Sequence, residues 1–185
     1  MDGNQNERLR REDAIDSHSI EWAIEEYADR LYAVALRITG SPEDAEDAIQ
    51  EAFIAALQAR ESFRGTASVA TWLHRIAVNA ALTCVRRRET TEYLSDDGML
   101  EINIRDWSID LEADAERNEL RATIHEGLKR IEPDIRAAVV LRDVESFSAG
   151  EAAQILEITE SALKSRLHRG RLLLRRYLAD ALSER

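Results

Sequence analysis

Only two prolines stand in the 185 residues, Pro42 and Pro133. Each opens a run of apolar residues at three-and-four spacing, where the ring's fixed φ suits the first turn of a helix. Seven glycines and 5% aromatic residues leave too few corners and too few strand formers for a sheet sandwich, whereas Ala, Leu, Arg and Glu are frequent. The chain therefore predicts an all-α fold, and its length has room for one medium domain or two small ones.

Ile24, Tyr27, Ala28, Leu31, Val34, Ala35 and Ile38 share one face of a helix over 21–38, which Thr39 and Gly40 end. Ser41 is placed to cap the next helix, from Pro42 to about Arg60, with Asp44 in its electropositive first turn. That helix buries Ala45, Ala48, Ile49, Ala52 and Ala56, with Phe53 beside them, and turns Asp44, Asp47 and Glu51 outward. By itself such an acidic stripe reads as a solvated face.

Residues 63–68 break the periodicity, and a third helix follows over about 69–88. Leu73, Ile76, Ala77, Ala80 and Cys84 form its apolar stripe. Trp72, Arg75, Asn79, Thr83, Arg86 and Arg87 form a neighbouring stripe whose mixture of ring, amide and guanidinium groups suits single-stranded nucleic acid. Trp72 considered alone reads as a core residue.

The net charge of −11 argues against a polyanion partner, but the charge is unevenly spread. Residues 89–118 hold ten acids and two bases, carry a turn signal at Asp96-Asp97-Gly98, and predict an acidic linker with at most a short ordered piece over 102–107. Beyond it, Leu120, Ile124, Leu128 and Ile131 share one helix face, and Pro133 opens another helix with Ile135, Ala138, Val139 and Leu141. Ser148 and Glu151 match a capping box, and Thr159 can cap a last helix in which 161–178 contains Lys164, Arg166, Arg169, Arg171, Arg175 and Arg176 and no acid. A short helix, a tight turn and a basic second helix form a helix-turn-helix pattern, with Leu163, Leu167, Leu172 or Leu174, and Leu178 on its apolar side. Ser161, Lys164 and Ser165 are placed to reach base edges; Arg166, Arg169 and Arg171 are placed on bases or phosphates, and Arg142 adds a contact.

Cys84 is the single cysteine, and His18, His74, His125 and His168 lie apart, so neither a disulfide nor a metal site is expected. No apolar run approaches the ~20 residues of a membrane span. These features predict a cytoplasmic protein without cofactor or membrane insertion. Phosphate-loop, nucleophile-elbow and paired-histidine motifs are absent from the sequence, which sets catalysis aside.

Three blocks in order, Ser41 to Phe53, Phe63-Arg64-Gly65 with Thr71 to Asn79, and Ala162 to Arg171, together resemble a group 4, or extracytoplasmic-function, sigma factor of bacterial RNA polymerase over about residues 20–180. The resemblance implies two small helical domains: a σ2-like bundle over 21–90, following an N-terminal extension over 1–20, and a σ4-like helix-turn-helix over 118–185, joined by the acidic linker over 91–117. It implies that Asp44, Asp47, Gln50, Glu51 and Phe53 dock on the clamp helices of the largest polymerase subunit. Phe63, Arg64, Gly65, Trp72, Arg75, Asn79, Arg86 and Arg87 would read and hold the melted −10 element, with 65–70 as the specificity loop. Capturing a flipped base offsets a few kcal/mol of unstacking, which couples recognition to opening. Arg142, Ser161, Lys164, Ser165, Arg166, Arg169 and Arg171 would serve the −35 element, the polymerase flap would hold σ4, and an anti-sigma factor would restrain a monomeric free protein.

Two features stand apart from the family pattern. Glu157 occupies the turn where glycine or another residue tolerant of positive φ is usual, at a cost of about 1 kcal/mol if the left-handed conformation is kept. The acidic balance predicts weak DNA binding without the polymerase. The other reading is a stand-alone helix-turn-helix regulator with an N-terminal dimerisation or sensing bundle, which would dimerise and bind a palindrome unaided.

Overall fold

A computed structural model describes residues 18–63, 65, 67–94 and 115–183. Arg64, most of the expected linker and nearly all of the N-terminal extension lie outside the described residues. The described chain is helical throughout: α1 (His18–Thr39), α2 (Pro42–Ala59), a 3₁₀ turn (Arg60–Ser62), α3 (Val69–Leu94), α4 (Ala115–Lys129), α5 (Pro133–Val139), a wide π turn (Val140–Val144), α6 (Ala149–Ile155) and α7 (Glu160–Ser183).

Local chemistry sets these boundaries. Gly40, at φ +72°, ends α1 in the left-handed region, and the Ser41 hydroxyl accepts from the Asp44 amide to start α2. Ala45, Ala48, Ile49, Ala52 and Ala56 are the buried residues of α2, as its spacing predicts. α1 starts earlier than expected, and Ile20, ahead of the expected boundary, extends its buried face. α3 runs six residues past the expected end at Arg88, and the Thr90 and Thr91 hydroxyls bond back to the Arg86 and Arg87 carbonyls within it.

α1, α2 and α3 pack together as an N-terminal bundle, and α4 to α7 form a C-terminal one. The second bundle differs from its expected pattern at Leu120, which is 45% exposed; the apolar face of α4 is made by Ile124 and Leu128 instead, with Ile131 just beyond. In α7 the choice between Leu172 and Leu174 falls on Leu174, which packs on the core while Leu172 is 57% exposed. α7 lies so close to α5 that a Cβ at Gly170 would stand 2.5 Å from Val139 Cγ2.

The two bundles of the expected two-domain chain lie against each other. They share one continuous apolar core, with α6 packed on α3, and α5 and the π turn packed on α1. The seam is chemically specific. Arg136, 6% exposed, donates from Nη1 to the Ile38 carbonyl at 2.6 Å and from Nε and Nη2 to the Ile131 carbonyl, so one guanidinium ties α5 to the end of α1. Glu145, 7% exposed, accepts from Arg30 at 2.7 Å and Arg37 at 3.5 Å. Phe147 packs edge-on against His74 of α3, centroids 4.7 Å apart.

Candidate nucleic-acid interface

The helix-turn-helix is built by two caps and a strained turn. The Ser148 hydroxyl accepts from the Glu151 amide while the Glu151 carboxylate accepts from the Ser148 amide, completing the capping box of α6. After Leu156 the chain turns through Glu157 at φ +54°, so the left-handed conformation is kept despite the side chain. The Ile158 amide donates to the Ala153 carbonyl across the turn. Thr159 then caps α7 by accepting from the Ala162 amide at 3.1 Å.

This turn fixes what α7 presents. Leu163, Leu167 and Gly170 are buried against the bundle, while Ser161, Lys164, Ser165, His168 and Arg169 are exposed. Residues 161, 164, 165 and 168 share one face by helical spacing. His168 is the member that sequence reading left out; its position one turn beyond Lys164 was the available signal. Three of the other arginines expected at the −35 element, Arg171, Arg166 and Arg142, are engaged within the protein. Arg171 makes a two-pronged pair with Asp143 at 2.6 and 2.9 Å, which raises its already high pKa. Arg166 reaches Asp134 at 3.6 Å. Arg142 donates from Nη1 to the Phe147 carbonyl, folding back on its own turn, and its buried Nε has no partner.

In the N-terminal bundle the expected strand-binding stripe divides. Asn79, Arg86 and Arg87 are exposed and Arg75 is half-buried. Trp72 is not on the surface: it is 7% exposed and packs on the half-buried Phe63, centroids 5.2 Å apart. Gly65 in that loop has φ +67°. The Ser68 hydroxyl accepts from the Thr71 amide and contacts its hydroxyl at 2.8 Å, fixing where the loop enters α3. Arg86 pairs with Asp134 at 3.2 Å.

The acidic stripe lies alongside. Asp47, Gln50 and Glu51 are exposed on α2 and Phe53 is half-buried against the core. Two of its carboxylates meet cations of α3: Glu51 with Arg87 at 2.8 Å and Asp44 with Arg88 at 2.5 Å. Burial, followed by the charges of Asp44 and Asp47, raises the Cys84 thiol above its usual range, which suits an inert packed thiol better than a reactive one. Ile54 is 57% exposed and Leu57 38%. Helical spacing puts them on the same face as Asp47 and Gln50, an apolar extension of the stripe that a search for charged residues passes over.

The geometry thus defines a helical DNA-binding protein with a helix-turn-helix in one bundle and a mixed acidic and apolar face in the other. The sigma-70 region 2 family matches residues 23–91, and the sigma-70 region 4 family matches residues 121–174. The chain is 32% identical over 161 residues to the extracytoplasmic-function RNA polymerase sigma factor SigW of Bacillus subtilis, covering 83% of this chain and 86% of that one. It is 36% identical over 163 residues to sigma factor SigE of Mycolicibacterium smegmatis, covering 87% of this chain but 62% of that longer relative. In three dimensions it resembles the sigma factor RpoE in its complex with the anti-sigma factor NepR from Bartonella quintana, with a TM-score of 0.72, 22% identity, and 87% of this chain and 97% of that one covered. The chain belongs to the extracytoplasmic-function sigma factors of the sigma-70 family.

Proposed function

We propose that the protein is a promoter-specificity factor: it binds core RNA polymerase, directs it to promoters with −35 and −10 elements, and assists strand opening without catalysis of its own. The observation that carries this reading is the pairing, in one chain, of a capped helix-turn-helix presenting Ser161, Lys164, Ser165 and Arg169 with a separate exposed stripe of Asp47, Gln50, Glu51, Ile54 and Leu57. A stand-alone regulator needs the first of these and has no use for the second.

In this proposal the α2 stripe docks on the polymerase clamp helices, with Asp44 and Phe53 at its inner edge. The 65–70 loop captures a flipped base, Arg75, Asn79, Arg86 and Arg87 hold the melted strand, and Trp72 backs Phe63 where the loop begins. Lys164, Ser165 and Arg169 read the −35 major groove. Arg166 and Arg171 leave their carboxylate partners for phosphate, an exchange of one anion for another that costs little at an exposed site. The protein works in the cytoplasm as a monomer, and an anti-sigma partner restrains it, as NepR is bound to the Bartonella relative.

The test is a gel shift and a polymerase pull-down with Lys164→Ala/Arg169→Ala. The variant is expected to retain core polymerase while losing recognition of −35-containing promoter DNA by the assembled complex. Loss of polymerase binding, or tight salt-resistant promoter binding by the free protein, would contradict the division of labour.

A further inference from the structure

Several acids around the helix-turn-helix are engaged within the protein. Asp134 and Asp143 hold Arg166 and Arg171, and Glu151 completes the α6 cap. Glu160 differs: it is exposed, and among the described residues it makes no ion pair or side-chain hydrogen bond. It is the first residue of α7, at the end by which a recognition helix meets base edges. Its Oε1 stands 3.7 Å from where a Cβ on Gly150 would lie. The carboxylate therefore sits across the first turn of α6, at the tip shared by both helices of the motif. Helical spacing puts Lys164, one turn on, along the same side of α7.

We infer that Glu160 is a specificity-determining residue of the −35 reader: its carboxylate selects cytosine at one position of that element by accepting a hydrogen bond from the exocyclic N4 amine. This inference rests on the assignment of α7 to the −35 major groove.

An ionised carboxylate is an acceptor only. Among the groups lining the major groove, cytosine N4 and adenine N6 donate, whereas guanine N7 and O6, adenine N7 and thymine O4 accept. Adenine sets its N7 acceptor beside its one donor, so cytosine is the base whose own edge meets a carboxylate without an opposed acceptor. The same charge is repelled by the phosphates. Glu160 thus weakens contact with DNA in general, and the loss is offset where an amine meets the carboxylate. Lys164 on the same side keeps the helix attracted to the groove. The signature is opposite to that of a basic phosphate contact, whose removal weakens binding to all sequences alike. An acid in the first turn also complements the helix dipole, a role that would show in stability and leave base choice unmoved.

The test uses the full chain with core polymerase on promoters randomised across the −35 element, and the free chain at low salt on the same DNA. Wild type is expected to prefer cytosine at one position by roughly 5- to 150-fold. Glu160→Ala is expected to lose that preference, and Glu160→Gln to move it toward adenine, whose N6 and N7 an amide can pair together. Both variants are expected to bind the non-selected sequences more tightly than wild type does. Replacing the selected cytosine by pyrimidin-2-one, which lacks the N4 amine, is expected to weaken wild type and leave Glu160→Ala unchanged. Identical base preferences in wild type and Glu160→Ala would overturn the inference, as would a uniform loss across all sequences accompanied by a lower melting temperature. Absence of initiation with the wild-type protein would refute the sigma reading, and selection by the free chain would still decide Glu160. There, a cytosine preference lost in Glu160→Ala sustains the inference, and no preference in either protein overturns it.

Discussion

Burial leaves His74 with Nδ1 against the Ala70 carbonyl at 2.6 Å and Nε2 without a partner. The ring is enclosed by Tyr27 and Phe147, with the charges of Arg30 and Glu145 nearby. Burial, partly opposed by the Ala70 bond, pushes its pKa down to about 4 from the ordinary 6.5. A folded-state value below the unfolded one means that the unfolded chain takes the proton first as pH falls. Stability is complete above pH ~6.5 and is lost from there toward pH ~4, by about 1.4 kcal/mol per unit once the unfolded histidine is protonated. The slope of melting temperature against pH between 6.5 and 4.5 should therefore flatten in His74→Gln relative to wild type; equal slopes would show that the ring takes up its proton without resistance. Sequence alone supplied no sign of this, because a single histidine on an apolar helix face carries no information about the second bundle that encloses it. The same limit applies to Trp72, which packs against Phe63.

At the scale of the elements, helix ends and buried faces were readable because caps and spacing are local. Ser41, Ser148 with Glu151, and Thr159 all cap where expected, and every residue named for the core of α2 is buried, with Phe53 packed at its edge. Less readable were the residues whose environment is set by a neighbouring helix, such as Leu120, left outside the core, and Arg166 and Arg171, drawn to acids of α5 and the π turn. Two glycine substitutions test the packing. Gly170→Ala would place its Cβ 2.5 Å from Val139 Cγ2 and 3.0 Å from Ile135 Cγ2; overpacking of about 1–3 kcal/mol outweighs the gain in helix propensity, and melting should shift downward by several degrees. Gly150→Ala meets only Glu160 Oε1 at 3.7 Å and should hold or raise stability by up to about 1 kcal/mol. Ser148→Ala removes the α6 cap and should cost about 1 kcal/mol in chemical denaturation, with recognition of the −35 element weakened because α6 sets the position of α7. A capless variant as stable as wild type would show that tertiary packing alone holds that helix.

For the whole molecule, the order of motifs was legible and the mutual placement of the bundles was not, since no local pattern encodes the pairing of Glu145 with Arg30 or of Arg136 with the Ile38 carbonyl. The charge distribution has a consequence at this scale. Much of the basic surface is matched by the protein's own acids, through Asp134, Asp143, Glu51 and Asp44, and the net charge is −11. The free protein should therefore bind duplex DNA weakly, with affinity falling further as salt rises. The most direct test of the central claim is transcription by purified core polymerase on a sheared genomic library, with and without this protein, mapping the 5′ ends of the transcripts. Discrete starts that share −35 and −10 elements and occur only when the protein is present are the predicted result. An unchanged set of starts, with folded protein and active polymerase, would contradict it.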